Sequence, residues 1–275
     1  MKRKAAIVLV LAMTAAMAGC GGTGAAGASA QDPASADKDQ MTQISTVQAL
    51  TAGDFTGSVT MQELLAYGDT GLGTVEGVDG ELIIVDGKAY QALGDGTVKE
   101  SDSGITVPFA CVGYADDEFT GDVSGIESLD GMTAALDRLV SEEGENYFYV
   151  CRVDGTFTSM HVRSEDAAEK PYDETLTELL ADGQHEFTYE DVEGTCVCIY
   201  CPSYASGINA SGWHVHFISK DREKGGHVLG LECGSASAVI NKVDSLNMLL
   251  PDGETFKNTD LNVSEDEVEK VEKGR

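Results

Sequence analysis

The chain has 275 residues, with 47 acidic against 18 basic side chains and a formal charge of −29. So strong an acidic excess excludes nucleic acid as a partner and opposes adsorption to an anionic membrane. It would also repel an anionic substrate, so a site for one needs a local positive centre, which a metal ion and an arginine could supply.

The first residues read as a targeting segment. Lys2, Arg3 and Lys4 form a basic start, and Ala5 to Ala18 form an apolar run shorter than the roughly 20 residues of a membrane span. Met17-Ala18-Gly19-Cys20 matches a bacterial lipobox, with Met where Leu is commoner. Residues 1–19 are therefore expected to be a lipoprotein signal peptide, and Cys20 the lipidated first residue of an exported protein that touches the membrane only through its lipid. The Gly-, Ala- and Ser-rich stretch to residue 40 cannot bury apolar surface and reads as a flexible tether. The folded domain is expected over 41–275.

Within it, Met61 to Tyr67 has helical spacing, with Thr60 and Glu63 placed as a capping box. Asp79-Gly80 and Asp86-Gly87 flank the run ELIIV and predict a β-meander. VPFACVGYA is a further strand, and 131–140 a helix. Strand 146–153 is followed by Asp154-Gly155, which predicts a hairpin into TFTSMHVRS. A short helix is expected over 173–180 and strands over 185–200. Ser264 and Glu267 set up a second capping box before a C-terminal helix. Short strands with turn signals every 8 to 12 residues and a few helices predict an α+β fold, mostly β: a two-lobed mixed β-sheet or barrel-like structure. The six cysteines after Cys20 allow 15 disulfide connectivities. Cys196, Cys198 and Cys201 could suggest a soft-metal cluster, but Cys196 and Cys198 lie in the apolar run TCVCIYC and read as small buried hydrophobes.

The densest chemical signal is SGWHVHFISKDREKGGHVLG, residues 211–230. His214 and His216 are two apart, so on a strand both imidazoles leave one face while Val215 and Phe217 enter a core. The polar run 219–224 and Gly225-Gly226 read as a turn, and His227 opens a strand that folds back beside the first. Three of the chain's five histidines thus converge. Three protein ligands with a fourth position open is the arrangement of a catalytic zinc site. The alternative is three separate, solvated histidines.

Several blocks in order, from QISTVQALTAGDF through DGELIIVDGKAYQ, VPFACVGY and RVDGTFTSMHVRS to the histidine segment, resemble the alpha-acetolactate decarboxylase family. The resemblance implies a two-lobed, β-rich fold, often dimeric, and zinc held by His214, His216 and His227. It implies roles for Glu81 of DGEL, Thr74 of GLGT and Arg163 in catalysis or substrate binding, with Arg152 as the competing arginine. Glu272 is the matching C-terminal glutamate, with Glu269 competing. Trp213 departs from the family, where Tyr or Phe is more usual. The implied reaction takes a small 2-hydroxy-3-keto acid, (S)-2-acetolactate, to (R)-acetoin and CO2. Two other readings use the same trio: a cupin-like isomerase or iron oxygenase, and a non-enzymatic zinc-binding surface lipoprotein.

Overall fold

The computed structural model describes residues 37–116 and 118–273, the last by its backbone alone. The expected signal peptide, Cys20 and nearly all of the tether lie outside these residues. Among the described residues, no helix is long and apolar enough to cross a membrane.

The chain opens with strand β1 (Gln40–Ile44) and helix α1 (Val47–Thr51), capped by the Thr46 hydroxyl. Strand β2 (Val59–Thr60) leads into α2 (Met61–Leu64), and the predicted capping box is present in both directions between Thr60 and Glu63. A meander follows: β3 (Thr70–Thr74), β4 (Glu81–Val85) and β5 (Lys88–Ala92). Asp86 and Gly87 both have positive φ, 54° and 70°, as a two-residue hairpin turn of primed type requires. Strand β6 (Val98–Glu100) follows, and the run VPFACVGYA, read as one strand, holds the end of β7 (Thr106–Val107) and all of β8 (Phe109–Gly113). Strand β9 (Phe119–Asp122) precedes helix α3 (Leu129–Leu139).

The second half is built on long strands: β10 (Phe148–Glu165), β11 (Gln184–Cys201), β12 (Gly212–Ser219), β13 (Gly225–Val243) and β14 (Ser245–Leu249). Helix α4 (Leu176–Gly183) starts three residues later than the sequence suggested, because Thr175 and Glu178 form a capping box that fixes its start. Two short helices close the chain, α5 (Glu254–Asn258) and α6 (Glu265–Lys273).

One sheet has the order β14-β1-β8-β3-β4-β5-β6. In the other, β10 pairs with both β11 and β13, β11 with β12, and β12 with β13, so these four strands close on themselves, with β9 at the outer edge of β13. This is the mixed, barrel-like, mostly-β fold expected. A core between the sheets joins Met41, Leu72 and Ile83 to Val150, Ile199 and Ile218. The ring encloses its own core, including Phe157, Cys196, Cys198 and Phe217, and α3 packs on that core through Met132 and Leu136. Val47, Leu50, Phe55, Leu176, Leu179, Val268 and Val271 form a helical cap from α1, α4 and α6.

The predicted hairpin at Asp154-Gly155 is wrong. Both residues sit mid-strand in β10, Gly155 opposite Gly194 on one side and Ala236 on the other. Asp154 supports the strand rather than turning it, accepting from Arg152 Nε and Thr195 Oγ1, each at 2.6 Å. The glycine serves close approach: a Cβ there would lie 2.3 Å from Ala236 Cβ and from Ser235 O. Gly155→Val is therefore expected to destabilise the fold by about 3 kcal/mol or more. Urea unfolding measures this, and an unchanged midpoint would contradict the packing described. Gly225 and Gly226, read as turn residues, instead open β13, and the turn is confined to 220–224.

Candidate metal centre

The site lies where the ring of strands closes. His216 on β12 is the register partner of His227 on β13, and His227 is in turn the partner of Arg163 on β10. His214 stands two residues before His216 on the same face, as period two demands. Val215 and Phe217 point the other way, into the ring's core. All three imidazoles are buried.

His214 Nε2 lies 3.1 Å from His216 Nε2 and 3.1 Å from His227 Nδ1. The outer nitrogens of two rings are committed elsewhere: His216 Nδ1 is 2.9 Å from the Leu82 carbonyl, and His227 Nε2 is 2.7 Å from the Glu272 carbonyl. A carbonyl accepts only, so those nitrogens carry the protons and the inner ones present lone pairs. Burial, with Arg163 nearby, pushes His214 down to about 3. Burial pushes His216 and His227 well below the ordinary histidine value too. The rings are therefore neutral, and their contacts with carboxyls are not ion pairs. Neutral nitrogens aimed at one point, with the protons of His216 and His227 turned outward, form a donor set for a divalent cation. A tetrahedral ion with nitrogens at about 2.0–2.1 Å separates its ligands by roughly 3.3 Å, so the spacing fits. Among the described residues this trio is the only such group of His, Cys, Asp or Glu. Cys196, Cys198 and Cys201 are instead core residues, the first two inside the ring and the third between the sheets.

Two carboxyls approach the same point. Glu272 Oε2 is 3.2 Å from His214 Nε2, and Glu81 Oε2 is 3.3 Å from His216 Nε2. Glu81 is carried in at the first position of β4, opposite Thr74, whose hydroxyl donates to Gly80 O at 2.8 Å and pins the preceding connection. Glu272 arrives on α6, whose Val268 and Val271 are buried in the helical cap. Arg163 is 4% exposed; its Nη1 donates to Gln184 Oε1 at 3.2 Å, and its Nε has no hydrogen-bond partner, with Glu81 Oε1 at 3.9 Å. The competing Arg152 lies elsewhere, paired with Asp86 and Asp154. Glu269 borders a separate surface pocket with Gln48 and Ser206. Thr74, Glu81, Arg163, Glu272 and the three histidines line one small cavity, walled by Leu50, Val78, Phe109, Leu176 and Leu180.

Sequence reasoning missed Glu165, which lines the same cavity at 2% exposure. The available signal was Arg163-Ser164-Glu165, two charges at period two on one strand. The Glu165 and Glu81 carboxyls are hydrogen-bonded to each other. Burial raises both, Glu81 well above the ordinary range and Glu165 to about 7. A carboxyl raised on folding from 4.5 to about 7 contributes stability that is full below pH 4.5 and lost as pH rises through 7. Glu165→Gln removes that loss. In metal-free protein the variant's advantage over wild type is therefore expected to grow between pH 5 and pH 8, by a few kcal/mol at most. Urea unfolding at the two pH values measures it, and a difference independent of pH would refute the assignment.

Residues 41–263 match the family model described as alpha-acetolactate decarboxylase. A protein of that name from Methanosarcina mazei is 37% identical over 237 residues, covering 86% of this chain and 81% of that one. One from Lactococcus lactis subsp. lactis is 39% identical over 219 residues, covering 77% and 88%. The crystal structure of alpha-acetolactate decarboxylase from Bacillus subtilis strain 168 superposes with a TM-score of 0.81 at 31% identity, covering 85% of this chain and 99% of that one.

Proposed function

The chain belongs to the alpha-acetolactate decarboxylase family, and from that premise we propose that it converts (S)-2-acetolactate to (R)-acetoin and CO2 with a zinc ion held by His214, His216 and His227. The observation that carries the metal is the convergence of three neutral, buried imidazoles, two of which, His216 and His227, have their protons turned away onto backbone carbonyls.

Losing CO2 from a 3-oxo acid leaves an electron pair that only the neighbouring ketone can take up, as an enolate oxygen. A divalent ion bound by the trio supplies Lewis acidity toward that charge. The chain's own residues do the rest. Arg163 offers its unpartnered Nε to the substrate carboxylate, and as a permanently cationic group it provides the attraction that the acidic chain otherwise lacks. Its carbon stem is held by burial and its Nη1 by Gln184, so the fork is already ordered. Glu81, kept protonated by burial and by the Glu165 charge beside it, holds a proton at the cavity edge. It is placed to return that proton to one face of the enediol, which would set the configuration of the product. Glu272 closes the opposite side from α6, and the apolar wall of Leu50, Val78 and Phe109 excludes water. Thr74 borders the substrate space.

The test is one assay on purified protein: metal content, and acetoin formed from racemic acetolactate. Zinc with acetoin from one enantiomer supports the reading. Iron with O2 consumption, or bound metal without turnover, would overturn it. Export, lipidation at Cys20 and a folded domain over 41–275 are proposed from the sequence motifs, and a homodimer from the family resemblance. Cys20→Ser should release the protein from the membrane fraction, and its retention there would argue against the anchor.

A further inference from the structure

Glu165 is a buried carboxyl with one oxygen that no group of the fold satisfies. It sits at the last position of β10, 2% exposed, and lines the cavity. Its only hydrogen-bonding neighbour among the described residues is the Glu81 carboxyl, and no N–H or O–H donor reaches Oε2. Two hydrogen-bonded carboxyls share one proton and keep acceptor capacity to spare. A buried acceptor left without a donor costs free energy unless a ligand satisfies it. The ligand's donor must stand close to the group held by Arg163, because Arg163 and Glu165 leave the same strand face two residues apart, about 7 Å along the strand.

We propose that Glu165 accepts the hydrogen bond of the substrate's 2-hydroxyl, and that this contact makes the site selective for 2-hydroxy-3-oxo acids over 3-oxo acids lacking the hydroxyl. The inference rests on the proposed reaction. In a 2-hydroxy acid the hydroxyl is borne by the carbon next to the carboxylate. With the carboxylate on Arg163, the hydroxyl proton faces the next inward side chain of β10. A site built to receive a hydroxyl rejects the analogue without it far more strongly than an apolar pocket rejects a missing methylene, because its own polar group is then left unpaired. Glu81 could not take this part alone, since its two oxygens already face His216 and Arg163.

The experiment is a cycle of two enzymes and two substrates. Wild type and Glu165→Leu are assayed by CO2 release from 2-acetolactate and from 2-methyl-3-oxobutanoate, which lacks the hydroxyl. Wild type should prefer the hydroxylated substrate by about 100-fold or more in kcat/KM. In Glu165→Leu that preference should fall at least tenfold, whatever the change in absolute rate that both substrates share through Glu81. Calorimetric binding of 2-hydroxyisobutyrate against isobutyrate gives a readout without turnover and should show the same loss of preference. Glu165→Gln, which keeps a carbonyl acceptor, should restore part of it. Equal losses on both substrates, with the binding preference intact, would overturn the proposal. Failure of wild type to turn over 2-acetolactate would instead count against the proposed reaction.

Discussion

Replacing His216 by alanine is expected to remove the bound metal and turnover together, with the fold intact. His216 supplies one of the three inward lone pairs, and its Nδ1–H to the Leu82 carbonyl ties β12 to β4 of the other sheet. Losing only an outer partner of a ligating histidine typically costs 10–100-fold in metal affinity or activity, so loss of the ligand itself should cost on the order of 10³-fold or more. The structural consequence is smaller. The imidazole lies between Val215 and Phe217, which anchor β12 in the ring's core from the opposite face and remain in place. The space left is bordered by polar groups, Glu81 and the other two imidazoles, and removing the ring relieves the approach of His214 to it. Metal analysis after dialysis, acetoin formation and the unfolding midpoint of the metal-free protein check the three parts. Wild-type turnover in a variant that has lost its metal would sink the role given to the trio.

Much of this site could be read from spacing, since a strand imposes period two without help from tertiary structure. His214 and His216 share a face for that reason, and Ser219 to Gly226 had to return the chain for His227 to meet them. Capping boxes were equally local, and those at Thr60 and Ser264 were visible in advance. What was not legible arises between strands. Asp154-Gly155 carries the strongest short hairpin signal in its region, yet the glycine is there because β13 passes against it. No property of residues 148–165 alone reveals two long partners. Glu165 was missed for a related reason. A glutamate closing a strand is ordinarily solvated, and only the tertiary fold places it in a cavity shared with Glu81 and Glu272. Arg152 and Arg163 could not be told apart by sequence either, because bulges between them break the alternation along β10, and only the strand pairing sets one of them opposite His227.

Removing residues 264–275 is expected to cut activity by about 10³-fold while leaving both sheets folded. Helix α6 buries Val268 and Val271 against Leu50, Phe55, Leu176 and Leu179, a contribution of roughly 1.5–3 kcal/mol for each valine. The core between the sheets and the core of the ring contain no residue from α6, so the truncated chain should still unfold cooperatively, at lower urea. The site depends on α6 much more heavily. The Glu272 carbonyl accepts the hydrogen bond of His227 Nε2–H, and without it nothing fixes the tautomer that turns Nδ1 inward. The Glu272 carboxylate, 3.2 Å from His214, is lost at the same stroke, and the cavity wall it forms is opened to water. Glu272→Gln separates these effects, because it keeps the helix and its backbone carbonyl and changes only the carboxylate. That variant should retain metal and lose turnover, whereas the truncation should lose both. Circular dichroism, metal content and acetoin formation on the two proteins distinguish the outcomes. Full activity in the truncated chain would show that α6 covers the centre without serving it.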